Sequence, residues 1–199
     1  MRTKEPFLGA AAITTTLLGA APAMAQQDFD QVEIRAEQIK PGIAVLFGAG
    51  GNIGVSYGDD GTILIDDQYA PLTDKIVAAI EALGASPVKF LVNTHWHFDH
   101  SGGNENFGEA GAVIFAHDNV RVRMASGGNI FGNDVPASPE AALPVVTYEK
   151  GITFHQNGDT VDVLYTAGGH TDGDSIIHWV EDNVVHMGDL YFNTGGFPF

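Results

Sequence analysis

Three histidines and an aspartate stand within six positions in the run His95-Trp96-His97-Phe98-Asp99-His100, directly after the apolar stretch Val88 to Val92. Neutral imidazole nitrogens and a carboxylate oxygen are ligands that a borderline-soft divalent cation such as zinc accepts, at roughly 2.0–2.2 Å. In extended backbone, side chains two apart share a side. His95, His97 and Asp99 are therefore expected on one side of the segment, with Trp96 and Phe98 packing on the other. His100 has the opposite parity and reaches a neighbouring position if the chain bends. A lone histidine is ordinarily a hydrogen-bonded core residue, but four ligand-type residues between a strand and Ser101-Gly102-Gly103 call for metal.

The elements around this run set its context. Val32–Ile39, Ile43–Phe47, Ile53–Tyr57 and Thr62–Ile65 are short apolar runs bounded by Gly, Asp and Pro, which predicts an antiparallel meander. Leu72 to Leu83 has helical spacing, with Ile76, Val77, Ile80 and Leu83 on one face and Pro71 at its start. Strands are expected at Val88–Val92 and Val113–Ala116, and a helix at Asp118–Ala125. Ser126 to Pro144 reads as a long flexible loop of the kind that lids an active site. Strands resume at Val145–Tyr148, Ile152–His155, Thr160–Thr166, Ser175–Val180 and Asn183–Met187. Strands first, then helices alternating with strands, suggest an α+β sheet structure covered by helices on an outer face.

Two later turns supply further ligands. His170 follows a strand in Gly168-Gly169-His170-Thr171, and Asp189 follows another in Gly188-Asp189. Loops at the ends of neighbouring strands converge and commonly hold functional residues. His95, His97 and His170 would make a three-histidine site with its fourth position open to water. Asp99 and His100 would hold a second ion, with Asp189 bridging the two.

The run from His95 to His100, Gly169-His170-Thr171, Gly188-Asp189 and the strand end Ile63-Leu64-Ile65-Asp66 together resemble the metallo-β-lactamase superfamily, over about Val32 to Asp189. The resemblance implies an αββα sandwich and a site for one or two metal ions, usually zinc, that activates water. It also implies that Asp66 supports the ligand loop. Asp189 is similar to the general hydrolases of the superfamily, including the glyoxalase II type; dedicated lactamases more often have cysteine or serine there. Members continue through a further sheet-and-helix segment with a last histidine. The run Gly195-Gly196-Phe197-Pro198-Phe199 is therefore read as the end of a truncated product, with a weakly held second metal and an unpaired sheet edge.

The N-terminus reads as an export signal: Arg2 and Lys4, an apolar core from Phe7 to Leu18, and the small-x-small site Ala23-Met24-Ala25. The core falls short of the about 20 apolar residues that span a bilayer. Residues 1–25 are thus a signal peptide and residues 26–199 one domain, periplasmic or secreted. The absence of cysteine excludes disulfides, thiolate ligands and a cysteine nucleophile. With nine Lys+Arg against 25 Asp+Glu, a net charge of −16 argues against nucleic acid or an anionic membrane surface as partner, leaving a small-molecule substrate.

The expected chemistry is metal-dependent hydrolysis, with Asp99 orienting the nucleophilic water and moving its proton. The expected substrate is a small ester, thioester, lactone or β-lactam. The alternatives are a β-lactamase proper, an iron-dependent persulfide-type oxidoreductase and an inactive truncated remnant. Asp66 is the preferred hydrogen-bond acceptor for a ligating histidine and Asp67 reads as a surface carboxylate, while Asn93 and Thr94 are positioned to support the loop. His117, His155, His178 and His186 read as structural.

Overall fold

The computed structural model describes residues 28–130 and 132–192. The export signal and the run from Gly195 to Phe199 lie outside them. A 3-10 turn at Phe29–Gln31 leads into β1 (Arg35–Lys40), β2 (Ile43–Phe47), β3 (Ile53–Gly58) and β4 (Gly61–Ile65), each antiparallel to the one before. The meander is as expected, though its first strand starts three residues late. Helix α1 (Thr73–Ala82) follows a 3-10 turn at Ala70–Leu72 that contains Pro71. β5 (Val88–Val92) then adds parallel to β4.

The histidine run does not stay extended. It bends at once, and α2 (Phe98–Ser101) and α3 (Asn104–Glu109) follow. β6 (Val113–His117), α4 (Asp118–Ser126), the hairpin β7 (Gly128–Ile130) and β8 (Asn133–Val135), and β9 (Val146–Tyr148) come next. β5, β6 and β9 pair in parallel, which completes a seven-stranded sheet in the order β1-β2-β3-β4-β5-β6-β9. A second, antiparallel sheet contains β10 (Gly151–Gln156), β11 (Asp159–Tyr165), β12 (Ser175–Trp179) and β13 (Val184–His186) in that order.

Alternation along the central strands explains the layering. Leu64, Leu91 and Ile114 face one way and pack with Leu72, Ile76, Ile80 and Phe107 beneath the helices. Ile63, Ile65, Val92 and Phe115 face the other way and meet Val161, Val163, Ile177 and Trp179 of the small sheet. A strand buried on both faces reads as an unbroken apolar run, as Ile63-Leu64-Ile65 does. Of the four residues expected on the buried face of α1, Val77 is the exception, at 36% exposure.

The segment expected to be a flexible loop, 126–144, instead carries the strands β7 and β8 and a 3-10 turn at Glu140–Ala142 among its described residues. Ala142 and Leu143 pack with Ala116, Val120 and Met124, and Trp96 leans on this cluster. Burial of these few apolar side chains anchors a stretch whose Gly and Pro content suggested freedom. Among the described residues no helix is long and apolar enough to cross a membrane.

Candidate metal centre

The ligand-type residues arrive from three turns at one end of the two sheets. The turn after β5 brings His95, His97, Asp99 and His100; the β11–β12 loop brings His170; and the 3-10 turn at Gly188–Leu190, after β13, brings Asp189. Backbone bonds tie these turns together: Ser175 N–H donates to Thr94 O at 2.9 Å, and Thr166 N–H to Asp174 O at 2.8 Å. Asp174 also holds the His170 loop, accepting from the Thr171 N–H at 2.6 Å and hydroxyl at 2.8 Å.

Two ligand clusters result. In the first, His97 Nδ1 lies 3.2 Å from His95 Nε2 and 3.0 Å from His170 Nε2. Asp189 Oδ2 is 3.5 Å from His170 Nε2 and 3.9 Å from His95 Nε2. In the second, His100 Nε2 lies 3.0 Å from Asp189 Oδ1 and 3.8 Å from Asp99 Oδ2. The donor atoms within each cluster are all within 4.8 Å of one another. All six sequence-derived candidates are therefore brought together, in the two groups expected. The parity argument grouped Asp99 with His95 and His97, and that part is corrected. His97 is the N-cap of α2, so Asp99 turns with the helix toward His100. Phe98 packs only in part: its ring lies 6.0 Å from that of Tyr69, and the residue is 47% exposed.

The hydrogen-bond network assigns the tautomers. Asp66, fully buried, accepts from Thr94 N–H at 2.7 Å and from the Thr94 hydroxyl at 2.8 Å. With its one proton committed there, Thr94 Oγ1 must accept from His95 Nδ1, 3.0 Å away. His95 Nε2 is then a bare lone pair aimed into the first cluster. His100 Nδ1 likewise donates to Asp66 Oδ2 at 2.8 Å, which leaves Nε2 facing the second. One carboxylate thus sets the outward nitrogen of two imidazoles, as expected of Asp66.

Asp67 corrects the sequence reading. It is fully buried rather than at the surface, and its Oδ1 accepts the Gly103 N–H at 2.8 Å. Burial lifts its carboxyl well above the usual range. Two glycines make the site possible. Gly188 has φ +49°, and a Cβ there would stand 2.7 Å from Thr94 Oγ1; one on Gly51 would collide with the His100 ring. Gly188 entered the sequence reading only as part of the Gly188-Asp189 motif, and the clashes that a side chain at either glycine would meet are tertiary.

The electrostatics match a cation site. Burial, reinforced by the surrounding imidazoles, pushes His95 well below the usual histidine range, and burial lowers His97 too. Both are therefore neutral and ligand-ready at neutral pH. At His100 burial also pulls down, but Asp66 and Asp189 outweigh it and raise the imidazole to about 10. His100 Nε2 is buried, and the oxygen it approaches is Asp189 Oδ1, at 3.0 Å. That nitrogen demands either a proton or a metal ion. The imidazole spacings of the first cluster are close to the roughly 3.3 Å expected between ligands of a tetrahedral zinc. The donor set fits the group.

The sequence profile of the metallo-β-lactamase superfamily matches residues 47–197. The chain belongs to this superfamily. Two relatives named hydroxyacylglutathione hydrolase, from Erythrobacter litoralis and Hyphomonas neptunium, are 29% identical over 115 residues and 30% identical over 105 residues. Those stretches cover 54% and 52% of this superfamily member, but 36% and 34% of the relatives. The chain therefore spans about a third of the curated relatives it matches. Among solved structures, a Cronobacter sakazakii metallo-β-lactamase with a HARLDQ motif aligns at a TM-score of 0.66 and 24% identity, covering 77% of this chain and 57% of that one. The class B3 di-zinc metallo-β-lactamase LRA-12 from an Alaskan soil metagenome aligns at 0.65 and 21%, covering 79% and 61%. These likenesses establish the metallo-β-lactamase fold, the αββα sandwich expected from sequence.

Two of the histidines read as structural make contacts within the fold. His117 stacks on Tyr165 at 3.9 Å and accepts the Asn119 N–H at the start of α4. His186 donates to Asn52 O at 2.9 Å and accepts from Gly188 N–H at 3.2 Å.

Proposed function

We propose that this chain is a zinc-dependent hydrolase that directs an activated water at the carbonyl of a small ester or thioester. The supporting observation is the convergence of His95 Nε2, His97 Nδ1 and His170 Nε2 on one point beside Asp189, with the buried His100 Nε2 on the other oxygen of that carboxylate. His95, His97, His170 and Asp189 would hold one ion, and Asp99, His100 and Asp189 a second. A bound divalent cation supplies Lewis acidity that lowers the pKa of water from 15.7 to about 7. Asp66 and Thr94 keep the His95 lone pair aimed inward. Asp99, with its side chain 30% exposed, takes the proton released from water and passes it to solvent. A thioester substrate is supported by the two relatives named as hydroxyacylglutathione hydrolases. A β-lactam is the second reading, supported by the fold neighbours and weakened by the aspartate at position 189. Residues 1–25 support export, with cleavage after Ala25.

The test is zinc-loaded protein assayed against glutathione thioesters and nitrocefin, with bound metal measured by mass spectrometry. His97→Ala and His170→Ala should each cut turnover at least a hundredfold and lower bound zinc. Undiminished turnover by either variant would overturn the ligand assignment. Iron as the bound metal, together with persulfide oxidation, would replace the hydrolase reading.

A further inference from the structure

Away from the metal centre, the two sheets meet through a pair of hairpin turns. On the small sheet Gln156 pairs with Asp159, so Asn157-Gly158 is a two-residue turn between β10 and β11. Both residues have positive φ, +57° and +81°, the type I′ geometry that Asn-Gly adopts at low cost. On the large sheet Gly58 pairs with Gly61, and Asp59 and Asp60 turn β3 into β4. β4 runs from this turn toward Asp66, so the two turns lie a strand's length from the histidine loop.

One residue fastens the turns together. Asn157 Oδ1 accepts the Asp60 N–H at 3.1 Å, and Asn157 Nδ2 donates to Gly61 O at 3.0 Å. The Asn157 N–H in turn donates to Asp60 Oδ2 at 2.7 Å. The fit is close: a Cβ on Gly58 would stand 2.7 Å from Asn157 Oδ1. Gly158 is exposed, with open space where a side chain would be.

Asn157-Gly158 is also the chain's one Asn-Gly pair. A side chain on the residue after asparagine screens that residue's backbone nitrogen. Glycine has none, so its nitrogen is free to attack the asparagine side chain. The bond from Gly158 N to Asn157 Cγ forms, the Cγ–Nδ2 bond breaks, and Nδ2 leaves as ammonia with the proton of the Gly158 N–H. A water molecule then opens the cyclic imide at either carbonyl, giving aspartate or isoaspartate with no change in oxidation state. The attack requires Cγ to swing onto the Gly158 nitrogen. Both polar atoms on Cγ are held by the opposite turn, so the clasp has to open first.

We propose that Asn157-Gly158 is a deamidation site gated by this clasp, and that its product cannot clasp again. In aspartate an anionic oxygen replaces Nδ2, facing the Gly61 carbonyl and adding to the charge of Asp59 and Asp60. In isoaspartate the main chain runs through the former side chain, which removes the group that reached across.

The test incubates the full chain in mildly alkaline buffer, with and without urea, and follows the peptide containing Asn157 by mass spectrometry. The mass gain of an amide turned to an acid should collect in that peptide, at least about tenfold faster in urea than in native buffer. Asp60→Ala removes the shortest of the three bonds and should speed native conversion about tenfold. The milder Asp60→Asn should fall between it and the wild type, and Asn157→Gln should end the conversion. Asn157→Asp makes one product directly and should lower Tm by roughly 2–6 °C. Equal rates with and without urea, or no acceleration in either Asp60 variant, overturn the gate. No conversion at Asn157 even in urea overturns the site. An Asn157→Asp chain that melts with the wild type overturns the claim that the product cannot clasp.

Discussion

At the scale of single residues, the centre depends on which nitrogen of each imidazole faces inward. Zinc accepts a lone pair and not an N–H, so a histidine in the wrong tautomer is no ligand. Thr94 decides this for His95 through one hydroxyl proton committed to Asp66. Thr94→Val keeps the shape of the side chain but removes that relay. It should weaken zinc binding about 10–100-fold, read by competition with a chromophoric chelator, whereas Thr94→Ser should restore most of the affinity. Asp66 was legible in sequence because it ends an apolar strand ahead of the ligand loop. The Thr94 relay was only partly legible, since its effect depends on an acceptor 28 positions away in the chain.

At the scale of elements, the site is held by strands that deliver turns to one end, and those strands are stapled by the core between the sheets. Trp179 on β12 is 1% exposed and sits in register between Val161 and Val184. Trp179→Ala should cost about 3–5 kcal/mol of stability, seen as a lower urea midpoint with little change in slope. The His170 loop is a weaker element, held by Asp174 and by the Arg123–Asp172 pair at 2.8 Å. Asp174→Ala should lower activity more than it lowers stability, because the loop is displaced while the sheets stay packed. Periodicity located β2, β4, β5 and α1 because each presents an apolar face at a regular interval. It missed α2 and α3, which are short and polar and are held in place by tertiary bonds such as the reciprocal Asn93–Asn104 pair at 2.8 and 2.9 Å.

At the scale of the whole molecule, metal and protons compete for one cluster. Zinc at a hundredfold excess over its Kd should add about 2.7 kcal/mol, which raises Tm by roughly 5–10 °C in a scanning calorimeter. In metal-free protein the histidines act in opposite directions. The folded pKa values of His95 and His97 lie below the unfolded value near 6.5, so the unfolded chain binds more protons as the solution is acidified. Their effect is to lower stability as pH falls below about 6.5. His100 is raised to about 10, so its contribution is complete below about 6.5 and is lost as pH rises toward 10. Tm measured against pH in the presence of a chelator should therefore decline on both sides of neutrality. An alkaline limb unchanged by His100→Gln would refute the assignment of that limb to His100.

The chain's own order of residues determined the kind of chemistry. Imidazoles and carboxylates clustered at strand ends, with no thiol anywhere, leave little but a nitrogen-and-oxygen metal site, and alternation of apolar residues determined which strands are buried. Tertiary structure alone decided the rest. Asp67 is interior because the turn leading into α3 closes over it, the end of the 126–144 segment is anchored because Ala142 and Leu143 join an apolar cluster, and Gly51 and Gly188 matter because distant side chains press on them. Local sequence encodes what a segment prefers, through spacing and backbone freedom. It does not encode which remote surface will come to rest against that segment, and both burial and the direction of a lone pair are set by that neighbour.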